Sequence, residues 1–81
     1  MNEDFRNLVL LLARSLVDEP DAVSLSEEDQ GQKILYRLKV AESEKGKIIG
    51  RGGRTARAIR ALLGAAAAKK GVRIELEIVD G

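Results

Sequence analysis

The chain has 81 residues, 44% hydrophobic and 33% charged, with a formal net charge of +1; that suffices for one small domain, residues 1–81, with a modest core. Cysteine and histidine are absent, which excludes disulfides, thiol chemistry, zinc sites of the Cys/His kind and histidine-based acid–base catalysis. The longest apolar run, Leu8 to Ala13, is too short to cross a bilayer, and Glu3 and Asp4 stand where a signal peptide would be basic, so a cytoplasmic location is expected.

Taken in order, Phe5, Leu8, Val9, Leu12 and Leu16 recur at helical spacing and predict an amphipathic helix from about Glu3 to Val17, capped by Asn2 or Asp4. Glu19-Pro20 ends it, because the residue before proline is pushed out of the helical region. Leu10 and Leu11 widen the apolar stripe, either to pack against a sheet edge or to meet a partner. Ala22–Ser26 alternates as a short strand. Glu27–Gly31 reads as a polar turn, its acids consecutive and without the alternate spacing of a calcium loop. In Lys33–Val40, the side chains of Ile34, Tyr36, Leu38 and Val40 point one way. Lys33, Arg37 and Lys39 point the other, with Leu35 among them, so the two strands predict a hairpin with one buried face.

Ser43 is expected to cap a one-turn helix over Lys45–Ile49, with Ile48 or Ile49 entering the core. After the loop Gly50–Gly53, the residues Ala56, Ile59, Leu62, Leu63, Ala66 and Ala67 form a stripe that predicts a long helix from about Arg54 to Lys70, stopped by Gly71. Val72 to Ile78 alternates strictly and completes the order α-β-β-α-α-β. Because two helices separate the second and third strands, those strands are expected to run parallel through a right-handed crossover. The expected fold is α+β, with three strands covered on one face by three helices.

Charge is distributed unevenly. Residues 1–32 carry a net −6 and residues 33–81 a net +7. Between Lys45 and Arg60 stand six bases (Lys45, Lys47, Arg51, Arg54, Arg57, Arg60) and no acid. Glycines let a foreign backbone approach closely, and a following helix N-terminus favours anions. Gly50–Gly53 with Lys47, Arg51, Arg54 and Arg57 therefore reads as a clamp for a phosphate backbone; Arg60 either continues the track or is an ordinary surface arginine. The second glycine lacks the following Lys-Ser/Thr of a P-loop, and Thr55 stands where a dinucleotide fingerprint needs glycine. Without histidine or cysteine, and with the carboxylates away from the loop, an enzymatic role has no support.

The stretch Ile48-Ile49-Gly50-Arg51-Gly52-Gly53-Arg54-Thr55-Ala56-Arg57-Ala58-Ile59 resembles the I-I-G-x-x-G-x-x-x-x-x-I signature of KH domains, whose GxxG loop grips the backbone of about four nucleotides. With Ser15–Asp18, Pro20–Val23 and the terminal Ile78–Asp80, essentially the whole chain resembles the small single-KH bacterial proteins of the KhpA type. The resemblance implies a type II KH fold and binding of single-stranded RNA at Lys47, Ile49, Gly50, Arg51, Gly52, Gly53, Arg54, Ala56 and Arg57, with no cofactor and no metal. Bases would lie between the long helix and the second strand, against Ile49 and Ala56. It further implies an RNA chaperone or post-transcriptional regulator linked to cell shape and envelope growth. Such a protein would act as a homodimer or with a larger KH-containing Jag-type partner. The alternatives are a KH-fold protein-interaction domain without RNA affinity and a ribosome-assembly factor. One departure is Gly52, which gives the loop three glycines where many relatives place a second polar or basic residue. Tyr36 and Phe5, the only aromatics, sit at core-facing positions. Base stacking worth about 1–3 kcal/mol per base is then lacking, and binding should be modest and salt-sensitive.

Overall fold

The computed structural model describes residues 2–80. Helix α1 (Asn2–Leu16) leads through a 3-10 turn at Pro20–Ala22 into β1 (Ser24–Asp29) and β2 (Lys33–Val40). A second 3-10 turn, Glu42–Glu44, precedes the short α2 (Lys45–Ile49); the loop follows, then α3 (Arg54–Lys69) and β3 (Arg73–Asp80). The sheet order is β1-β2-β3, with β1 antiparallel and β3 parallel to the central β2. This is the α+β architecture and the parallel crossover expected from the sequence.

Burial explains why these segments form these elements. Phe5, Val9 and Ala13 of α1, with Val17 just past its end, follow at intervals of four and are buried, with Leu8, Leu10 and Leu12 packed partly against them. Leu16 and Leu11 turn away, 39% and 64% exposed. Leu16 was expected inside the stripe; Val17, one more step of four, takes that place. Because the helix begins at Asn2, Asp4 falls inside its first turn rather than capping it. From the sheet, Leu25, Ile34, Tyr36, Leu38, Val40 and Leu76 join the same core as Ile48, Ile59, Leu63 and Ala67. Both aromatics are sealed inside, Tyr36 at 0% and Phe5 at 3% exposure.

Several expectations are corrected. The acids Glu27 to Asp29 belong to β1, because their backbones pair with Tyr36 to Ile34; Ala22 instead lies in the preceding 3-10 turn. The reversal is confined to Gln30–Gln32, closed by Gln30 N donating to Lys33 O at 2.7 Å and Gly31 N to Asp29 Oδ1 at 2.9 Å. Leu62 is 53% exposed, since the buried row of α3 is Ala56, Ile59, Leu63 and Ala67 and Leu62 lies off its edge. Leu35 is buried on the otherwise charged face. It lies in register between Glu28 and Glu75, beside the pairs Arg37–Glu28 (3.5 Å), Arg37–Glu77 (3.7 Å) and Lys33–Glu75 (3.1 Å). Long charged side chains cover apolar surface with their stems in this way. At the end of α3, Gly71 N bonds Ala68 O and Val72 N bonds Ala67 O, the paired closure typical of a glycine stop.

Candidate nucleic-acid interface

The site begins with α2, whose five residues are too few to hold a helix unaided. Ile48 is fully buried and anchors it, while Ile49 is half-buried at the loop. Ser43 does not cap this helix: the N-cap position is Glu44, with no side-chain cap bond. The Glu44 carboxylate instead reaches across the chain to accept the amides of Asp18 (2.5 Å) and Glu19 (3.1 Å), both just past the end of α1. The ammonium of Lys47 lies 3.3 Å from Glu44 Oε1 and 2.6 Å from Asp18 Oδ2. Burial alone would raise the Glu44 pKa, but the Asp18 and Glu19 amides and then Lys47 outweigh it and hold the carboxyl below its ordinary 4.5. Lys47 is raised above its ordinary 10.5, first by the Asp18 bond and then by that of Glu44.

The loop is a tight turn, Arg51–Gly53, entered through Gly50. Gly50 combines φ 77° with ψ 169°, a region essentially reserved for glycine. A Cβ there would strike Thr55, 2.7 Å from its Cβ and 2.9 Å from its backbone nitrogen. Gly52 is also left-handed at φ +64°, yet a Cβ on it would meet nothing within 4 Å. Gly50 therefore packs the loop onto α3, and Gly52 leaves it open to whatever approaches from outside. The amides of Gly50, Gly53 and Arg54 donate internally, to Gly46, Gly50 and Arg51 carbonyls.

Around this opening Arg51, Arg54 and Arg57 are exposed, and among the described residues no carboxylate pairs with them. Arg54 and Arg57 are three apart on α3 and share a face. Ala56 is buried beneath the same turn of helix. Lys47 differs from the arginines in being engaged by two carboxylates, which the acid-free stretch around it could not reveal; Asp18 and Glu44 come from outside that stretch.

A groove lies past the loop, between α3 from Arg60 onward and β3. The crossover leaves β2 in the centre of the sheet and β3 at its edge, next to α3. A cavity of about 260 Å³ opens there, lined by Arg60, Leu63, Ile74, Glu75 and Leu76. Arg60 spans it, donating from Nε (3.3 Å) and Nη2 (3.2 Å) to the carbonyl of Leu76. Sequence reasoning left Arg60 between two roles, and this cross-element bond had no local signal.

Such a surface can hold a polyanion at the loop and a flat, partly apolar group in the groove. The comparisons agree in kind. The family described as KhpA/KhpB, KH domain, matches residues 6–78. Among similar proteins are the "RNA-binding protein KhpA" of Borreliella burgdorferi, 49% identical over 90% of this chain and 89% of the relative. The protein of the same name from Caldanaerobacter subterraneus is 49% identical over 89% of this chain and 96% of its own. That of Bacillus subtilis is 38% identical over 98% of each. A glycine loop set between two helices, a mixed three-stranded sheet with β3 parallel at its edge, and these full-length likenesses together show that the chain belongs to the KhpA/KhpB family of KH domains.

Proposed function

We propose that the chain binds single-stranded RNA, gripping its backbone at Gly50–Gly53. The observation that carries this reading is the open face of Gly52, ringed by Arg51, Arg54 and Arg57 with no carboxylate to neutralise them. The similar proteins' name, RNA-binding protein, supports it. Phosphates are held by the three arginines and by those amides of the loop and the first turn of α3 that do not already donate internally. Lys47 adds charge from within its carboxylate pair. Ile49 and Ala56 give the apolar flank, and the groove between α3 and β3 receives a base. With no exposed aromatic to stack on, the protein acts as a weak, broadly selective RNA chaperone or post-transcriptional regulator, and the link to cell shape and envelope growth comes with the family resemblance. One module holding about four nucleotides gains avidity from a second, so a homodimer or a pairing with a larger KH protein suits it. Leu11 and Leu62, the most exposed large apolar side chains among the described residues, favour such a partner surface.

Titration of a fluorescent single-stranded RNA at several salt concentrations tests this. Three phosphate contacts give a log–log salt slope of about −2. The double variant Arg51→Asp/Gly52→Asp should lose binding while staying folded. Binding that ignores salt, or that survives in the double variant, would exclude the clamp.

A further inference from the structure

Glu44 is the buried charged side chain of the described core, 4% exposed, and its three close contacts reach the exit of α1 and the helix α2. It stands immediately before α2, and α2 runs without interruption into the glycine loop, with Gly50 N donating to Gly46 O at 2.8 Å. A five-residue helix anchored by one buried side chain, Ile48, can pivot about that anchor. What opposes the pivot is the set of cross-chain bonds at its start: Glu44 to the amides of Asp18 and Glu19, and Lys47 to the Asp18 carboxylate. At the far end, the loop at Gly50 sits close against Thr55 of α3, and α2 also packs against α3 and β3.

We propose that Glu44 is a positioning residue for the glycine loop: by bracing the start of α2 against the exit of α1, it holds Gly50–Gly53 in binding geometry before any ligand arrives. A buried carboxylate suits this task better than a neutral acceptor. It takes both amides and the ammonium at once, and bonds to a charged acceptor are roughly twice as strong as neutral ones. A preformed loop spares the complex the ordering cost that a loose one would meet on binding. The binding consequence rests on the RNA reading above; the structural consequence does not.

The test is amide hydrogen exchange on the free protein, comparing wild type with Glu44→Gln, together with RNA titration across salt. The amides of Gly50, Gly53 and Arg54 should exchange about tenfold faster or more in the variant, while those of central β2 change by a smaller factor. RNA affinity should weaken several-fold with the salt slope unaltered, because no phosphate contact has been removed. The proposal is overturned if the loop amides keep their rates, if loop and β2 amides accelerate equally, or if the loop loosens and affinity does not change. Should Glu44→Gln fail to fold, Glu44→Asp, whose shorter side chain draws the carboxylate back from the Asp18 and Glu19 amides, decides in the same way by loop exchange. If wild type binds no RNA, the clamp reading fails, and selective loop exchange still decides whether Glu44 braces it.

Discussion

Two glycines two positions apart in one loop perform opposite tasks, and substitution separates them. Alanine at Gly50 would incur about 1–3 kcal/mol from a glycine-only backbone and about 1–3 kcal/mol more from overpacking against Thr55. Alanine at Gly52 incurs about 1–2 kcal/mol for the left-handed conformation alone, its Cβ pointing into free space. Urea unfolding should therefore show Gly50→Ala as clearly the less stable variant. Gly52→Ala should stay folded and weaken RNA binding, since its methyl occupies the opening. Equal stability losses would contradict the division. The glycine spacing announced a loop; which glycine serves the fold and which the ligand depends on Thr55, brought against Gly50 only when the chain turns back.

Among the elements, α3 shows how far a pattern can be read. Its stripe was legible from Ala56 to Ala67, but adjacent Leu62 and Leu63 could not both lie at its centre, and only packing against the sheet decides. Leu63→Ala should cost about 2–5 kcal/mol as a fully buried side chain, whereas Leu62→Ala should change monomer stability by less than about 0.5 kcal/mol. If Leu62 instead meets a partner copy, its substitution will lower the apparent mass in solution without lowering the unfolding midpoint of the dilute protein. Strand β2 and helix α2 were legible to the residue, because the alternation of Ile34, Tyr36, Leu38 and Val40 defines one, Leu35 excepted, and the following glycine closes the other. The acids of β1 were not. A charged run suggests a turn when read alone, and pairing with Tyr36 to Ile34 overrides that tendency.

For the molecule as a whole, the bonds that join α1 to α2 link stability to pH, and the two flanks have different sources. The native state holds the Glu44 carboxyl below 4.5, despite burial, through the Asp18 and Glu19 amides and Lys47. Glu28 is lowered as well, by its Gln30 bond first and then by Arg37. Groups depressed on folding bind fewer protons in the native state, so their stabilisation is complete above the unfolded value and disappears as pH falls through the folded one. On the alkaline side Tyr36 is raised above 10.0, by burial first and then by Glu27, and Lys47 is raised above 10.5 by Asp18 and Glu44. Those contributions are complete below the unfolded values and disappear as pH rises through the folded ones. The expected profile is a plateau from about pH 5.5 to 9.5 with losses on both sides. Denaturation midpoints measured across pH for three proteins check the assignment. Glu44→Gln should lower the plateau and flatten the acid flank in part, leaving the remainder to Glu28. Tyr36→Phe should leave the acid flank intact and soften the alkaline one. An acid flank of unchanged steepness in Glu44→Gln would mean that the brace between α1 and α2 does not control how the fold responds to protons.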